Sequence, residues 1–242
     1  MKVHWKTACI AALIPTLFFS ALLVYAYQSF TNMGAMQIRQ KTENYTKLSE
    51  AAPHQATVFF GDSITELCPL EDLYAEYTKK TGVPVLNRGI SAEKTDTMLK
   101  RLESTVLNTE PRNLIMVMGI NDFFAGVSNV KINENIDKMI EITKSKSPHT
   151  NIILSSVYPI NTADRNSLLE KMQMLGKDTD AIDELNAMLK QTAKKHHVTY
   201  LDMDAVLKDA QGNLKHAYAY DGLHPNTKGY LAIRPLILQV VK

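Results

Sequence analysis

Cysteine is almost missing from this chain: Cys9 and Cys68 are the whole complement. Cys9 falls inside an apolar N-terminal segment, which excludes a disulfide within the remainder of the chain. No Cys-x-x-Cys and no Cys/His spacing suited to structural zinc occurs either. An excess of one charge is missing too. The 27 basic and 25 acidic residues leave a formal +2, and the basic residues are scattered, so nucleic acid finds no electrostatic footprint. Internal repeats and low-complexity tracts are absent, and 45% hydrophobic residues exclude a disordered or fibrous chain. The one close histidine pair, His196-His197, reads as a solvated helix end, because adjacent residues on a helix point in different directions.

Charge is also missing locally. Behind Lys2 and Lys6, the segment "TACIAALIPTLFFSALLVYAY" carries no charged residue from Thr7 to Tyr27. As a helix it would span about 31 Å, against a hydrocarbon core of about 30 Å. Residues 1–27 are therefore expected to be an uncleaved signal anchor, or a signal peptide cleaved near Val24-Tyr25-Ala26. Either implies export of the remainder of the chain, and the first also implies contact with a membrane. Residues 28–54 are polar and poor in periodic apolar residues, as in a linker or stalk. Residues 55–242 fit one domain with a single core.

Within that domain, apolar runs alternate with amphipathic stretches. Strands are expected at 56–60, 83–87, 113–118, 151–157 and 198–201, and their runs are continuous rather than alternating, as in parallel strands covered on both faces. Helices are expected at 66–80, 94–107, 131–146, 178–195 and 226–241. In the third, Ile132, Ile136, Met139, Ile140 and Thr143 share a stripe; in the fourth, Ile182, Leu185, Met188, Leu189 and Thr192 do. The pattern predicts an α/β fold, a three-layer α/β/α sandwich on a mainly parallel five-stranded sheet. Ligands of such sheets bind beyond the carboxyl ends of the strands.

That rule directs attention to the residues just after each strand. After the first comes "GDSIT", after the second "RGIS", after the third "GIND", and before the last helix "DGLHP". Pro225 biases His224 away from helical dihedrals and suits the first position of a helix. Asp221 stands three residues before His224, and a carboxylate that accepts an imidazole Nδ1 proton leaves Nε2 free as a base. An Asx-turn with a helix-capping histidine accounts for the same residues. Gly89 allows its N–H a close approach to a ligand, and Asn121 offers a neutral donor, although each also suits a turn. Ser63 is a candidate nucleophile or a simple turn residue. Individually these signals are weak; their placement at one sheet edge joins them.

"FFGDSIT", "NRGIS", "MGIND" and "DGLHP", in this order and roughly 30, 30 and 100 residues apart, resemble the four signature blocks of the SGNH (GDSL-type) esterase family. The match covers essentially all of residues 55–242 and leaves the apolar segment and the stalk untouched. "NRGISAEKTDTML" and "SSVYPIN" are similar to the bacterial branch that resembles platelet-activating-factor acetylhydrolases. The resemblance implies a flavodoxin-like sandwich and a metal-free, cofactor-free serine hydrolase. It implies Ser63 as nucleophile, His224 as base, Asp221 as the acid orienting it, and an oxyanion hole from Ser63 N–H, Gly89 N–H and Asn121. Ile64 stands where the motif name has leucine, an apolar swap of similar size. The rival G-x-S-x-G elbow would need glycine where Thr65 stands. Asp62 is expected to support its loop by hydrogen bonds, and Cys68 to fill space on the following helix.

A small ester is the expected substrate, an acetyl ester of cell-surface carbohydrate first and a lipid or lysophospholipid ester second. An O-acyltransferase using the same residues, or an inert surface-displayed protein of the same fold, is the alternative. Phe123, Phe124, Tyr218 and Tyr220 flank the candidate residues and suit either an acyl pocket, a sugar platform or the core. The long connection 161–180 is a candidate lid.

Overall fold

Thr57–Gly61 forms strand β1, an apolar run buried on both faces and therefore stable only inside a sheet covered on both sides. It lies between β2 (Val85–Gly89) and β3 (Asn113–Val117), and β4 (Asn151–Ser155) and β5 (Thr199–Leu201) complete the sheet. The order is β2-β1-β3-β4-β5, with every pair parallel. Gly61 lies in register with Gly89 on one side and Val117 on the other, so three strands stop along one line. The chain runs outward from β1 to β2, then crosses back to β3. That reversal makes the β1/β3 edge the switch point at which ligands of such sheets bind.

The computed structural model describes residues 5–162 and 179–242, with side chains before Pro15 outside that description. The helices are α1 (Trp5–Ala51), α2 (Ser63–Glu66), α3 (Leu70–Leu73), α4 (Ala75–Thr81), α5 (Thr95–Thr105), α6 (Ile120–Phe124), α7 (Asn129–Lys146), α8 (Thr179–Lys195), α9 (Met203–Leu207) and α10 (Thr227–Leu238). Successive strand residues face opposite sides. Accordingly Phe59 meets the Tyr74 ring, with centroids 5.1 Å apart, while the neighbouring Phe60 lies under Arg101 of α5. Helices α5, α7 and α8 pack side by side on the Phe60 face and bury Met98, Ile136, Met139 and Leu185. The α3–α4 segment and α10 lie on the Phe59 face. The expected three-layer sandwich is the observed fold.

Several local expectations need correction. The helix expected over 66–80 is broken: α2 ends at Glu66, Pro69 cannot continue it and instead opens α3, and Tyr74 separates α3 from α4. Cys68 lies in that break, half-buried against the core, not on a helix. In α8, Met188 is only half-buried, and Asn186 takes a buried place by closing two hydrogen bonds with the Val157 backbone (2.7 and 3.0 Å). His196 is not solvated: its Nε2 sits 2.7 Å from Asp137 Oδ1 on α7. The candidate lid at 161–180 falls mostly outside the described residues.

The N-terminal expectations also change. Among the described residues no helix is long and apolar enough to cross a membrane, so membrane contact through this helix, and the anchored location outside the cell that rests on it, find no support. The chain divides into a unit ending at Lys41 and a unit from Thr42 to Lys242. The polar stretch read as a stalk is helical, and its last turns belong to the second unit. There Tyr45 Oη donates to Gly89 O (3.2 Å), and the Arg88 guanidinium lies 5.0 Å over the Tyr45 ring. Ser49 Oγ donates to Thr105 O (3.0 Å).

Tyr45→Ala is expected to lower stability by about 1–3 kcal/mol through the lost ring packing and cation–π contact. Urea denaturation measures it, and an unchanged midpoint would mean that residues 42–51 are a loose linker.

Candidate active site

Ser63 is placed by the end of β1. Gly61 must be glycine, because a Cβ there would stand 2.1 Å from Val117 O and 2.3 Å from Thr65 Oγ1. The chain then turns at Asp62, whose Oδ1 accepts from Ile64 N (2.9 Å) and caps α2. Ser63 thus opens a helix whose first N–H groups have no intrahelical partner, and its own N–H meets no acceptor among the described residues. The residue is only 8% exposed, so its hydroxyl sees a restricted opening and not bulk water. Tyr230 of α10 donates to Ile64 O (2.7 Å) and pins α2 from the other side.

His224 arrives from the far end of the chain. Gly222 adopts φ +77°, a turn that other residues make only with strain. Ala219 and Pro225 then form an antiparallel bridge, closed by Tyr220 N donating to His224 O (3.0 Å). Pro225 is therefore not the first helical residue. Asn226 caps α10 by accepting from Gly229 N (3.1 Å). In this loop Ser63 Oγ lies 2.9 Å from His224 Nε2, and His224 Nδ1 lies 2.7 Å from Asp221 Oδ2. Asp221 Oδ1 also accepts from the backbone N–H of Leu223 (3.0 Å) and His224 (2.8 Å). Burial alone would raise the Asp221 pKa, but the ring and backbone donors outweigh it and hold the carboxyl well below the usual range. Asp221 is accordingly ionised at any working pH and fixes the imidazole tautomer that presents Nε2 to Ser63.

Asp62 shows the opposite behaviour. It is fully buried, Oδ2 has no partner among the described residues, and desolvation raises its pKa to about 7 despite the Ile64 N–H. Two carboxylates stand near one serine–histidine pair, and their surroundings push them apart. The one hydrogen-bonded to the histidine is Asp221.

The other expected residues divide. Asn121, in α6 after Gly119 (φ +117°), lies half-exposed at the end of β3, and its Nδ2 donates to Glu93 O (3.1 Å). Gly89 lies at the end of β2, but its N–H donates to Asn87 Oδ1 (2.9 Å). Its missing Cβ answers a packing need, since a side chain there would meet Glu66 N at 2.3 Å. Three residues on, Ala92 is exposed with φ +62°, and its N–H finds no acceptor among the described residues. No sequence signal marks an alanine for a left-handed conformation. Phe123 belongs to the core and Phe124 and Tyr218 pack partly against it, whereas Tyr220, next to Asp221, is 70% exposed. Asp137, Glu141 and His196, with ligand atoms within 4.8 Å of one another, form the one group among the described residues able to gather a cation, but Lys195 already pairs with Asp137 at 2.8 Å.

The family model of GDSL-like lipases and acylhydrolases matches residues 59–232. A curated relative, the N-acylneuraminate cytidylyltransferase of Escherichia coli O18:K1:H7, is 25% identical over 211 residues, or 84% of this chain; the chain spans only 46% of that protein. Among solved structures, a Streptococcus pneumonia protein provisionally described as a platelet activating factor superposes with TM-score 0.80 at 23% identity, covering 90% of this chain and 99% of its own. A GDSL-like lipase from Bacteroides thetaiotaomicron gives 0.68 at 24%, covering 83% and 96%. An acetylxylan esterase from Geobacillus stearothermophilus gives 0.62 at 19%, covering 78% and 95%.

The geometry generates two expected outcomes. Because the Asp62 pKa is raised from 3.8 to about 7, the native state holds a proton that the unfolded chain has released, and this contribution to stability is lost as pH rises through that window. The gain in melting temperature of Asp62→Asn over the native protein should be larger at about pH 8 than at about pH 5; a constant difference would mean that Asp62 is ionised throughout. Gly89→Ala should cost about 2 kcal/mol or more by denaturant titration, because its Cβ meets rigid backbone. A native-like midpoint would show that α2 can yield.

Proposed function

The chain belongs to the GDSL-like lipase/acylhydrolase family and is a hydrolase acting on ester bonds; from that premise we propose that Ser63, His224 and Asp221 hydrolyse small-acyl esters of carbohydrate through an acyl-enzyme. What carries the reading is the unbroken file from Ser63 Oγ through His224 to Asp221, with spacings of 2.9 and 2.7 Å. His224 Nε2 takes the Ser63 proton as Oγ attacks the ester carbonyl, and Asp221 stabilises the imidazolium formed. The same Nε2–H then protonates the leaving alcohol. Water attacks the acyl-serine, giving its proton to His224, and Ser63 recovers a proton as the acid leaves.

The oxyanion of each tetrahedral intermediate needs donors aimed at it, each worth about 3–4 kcal/mol. Among the described residues no acceptor takes the Ser63 N–H or the second N–H of the Asn121 amide. Gly89 N–H would first have to leave Asn87 Oδ1, a cost that the exposed Ala92 N–H does not carry. Ala92 is therefore the better third donor. The sequence pattern alone favours Gly89.

One observation supports a sugar as the alcohol part. Tyr220 presents an exposed ring one residue from Asp221, suited to stacking on a sugar face.

Initial rates on acetyl, butyryl and long-chain esters, with Ser63→Ala as control, test the reading. Acetyl esters should be fastest, and Ser63→Ala should lose at least about a thousandfold in kcat with its fold intact. Full activity in that variant would refute the nucleophile, preference for long chains would point to a lipid esterase, and acyl transfer to an added glycan to a transferase.

A further inference from the structure

We propose that the buried Glu93–Arg101 pair is the positioning unit of the donor side of the site, holding the β2–α5 loop and Asn121 where an oxyanion forms; this rests on the esterase reading above. Both side chains are fully covered, at 0% and 2% exposure. Arg101 Nε donates to both Glu93 carboxylate oxygens (2.9 and 2.7 Å), and Nη2 lies 2.5 Å from Oε2. Nη2 also donates to Arg88 O (3.0 Å) and Gly61 O (3.3 Å), and the Phe60 ring covers the guanidinium at 4.6 Å. One planar cation therefore grips the ends of β1 and β2 and the loop between β2 and α5.

Glu93 is gripped at its backbone as well. Its N–H donates to Ile90 O (3.3 Å), Ile90 N donates to Gly61 O (3.0 Å), and its own carbonyl accepts one N–H of Asn121 (3.1 Å). That last bond sets the amide plane of Asn121 and aims its second N–H. Ala92, whose N–H has no acceptor among the described residues, directly precedes Glu93. Moving Glu93 would displace Asn121 and Ala92 together, and its hydrogen bonds reach none of Ser63, His224 or Asp221.

Stability does not explain such a pair. Two charges taken out of water lose about as much in solvation as their attraction returns, and apolar residues of similar volume often replace them without loss. A guanidinium is instead suited to fixing several acceptors in one plane, which an ammonium cannot do. A misplacement of about 1 Å in a reacting geometry can cost about a hundredfold in rate.

Three variants test this: Arg101→Lys, which keeps the charge but not the fork; Glu93→Gln; and the double replacement Glu93→Leu with Arg101→Met. Steady-state kinetics per folded molecule on an acetyl ester are compared with melting temperature. We expect kcat to fall at least about tenfold in Arg101→Lys and in the double variant, with KM within about threefold. The double variant should stay folded. A purely structural pair would lower the melting temperature and the folded yield and leave kcat unchanged, which overturns the inference. Should the double variant not fold, Arg101→Lys decides alone, since it retains an ion pair: native kcat there refutes the proposal. Loss of all activity in the native protein, or its persistence in Ser63→Ala, would instead sink the esterase reading.

Discussion

The hydrogen bond between Ser63 Oγ and His224 Nε2 joins residues 161 positions apart, and it exists only because parallel strands end along a common edge. Gly61, Gly89 and Val117 share one register line, so the loops after β1, β2 and β3 emerge side by side. The last loop is brought to the same edge by α10, through Tyr230 on the Ile64 carbonyl. Each glycine at the strand ends serves this convergence. Gly61 admits the Val117 carbonyl and Gly89 admits the first turn of α2, where any Cβ would force backbone apart.

Electrostatics at the edge depend on the balance between burial and the donors that reach each carboxylate. Asp221 is half-exposed and takes three, so it stays charged and can orient a proton-accepting ring. Asp62 takes one and is raised to about 7. Glu93 and Asp122 are raised too, burial again outweighing their partners, Arg101 for the first and the Thr95 backbone and hydroxyl for the second. The charged acid thus stands at the histidine, and the acids behind the loops serve as struts. Burial of so many carboxylates costs stability, and the network of carbonyls and amides they hold is where the compensating order appears.

Much of this is legible in the chain. Continuous apolar runs and 3.6-residue stripes identify a parallel, doubly covered sheet with helices on both faces, because burial on two sides leaves no room for alternation. Ser63, Asn121, Asp221 and His224 can be picked out because ligands gather past strand ends. Gly89 stands out for its freedom to approach a ligand, yet its absent side chain answers Glu66, and its N–H answers Asn87. A glycine needed for packing and one needed for binding look alike in a sequence.

The sequence determined by itself the order of layers and the four loops that carry the chemistry, since periodicity and turn residues are local properties of the chain. Only the tertiary structure decided which atoms meet: that Asn87 takes the Gly89 N–H, that the Ala92 N–H has no acceptor among the described residues, that Glu93 and Arg101 close on one another, and that Tyr45 packs on the domain. These depend on distances between segments far apart in the chain and on the number of donors each buried group can reach, and neither is a property of any stretch read alone.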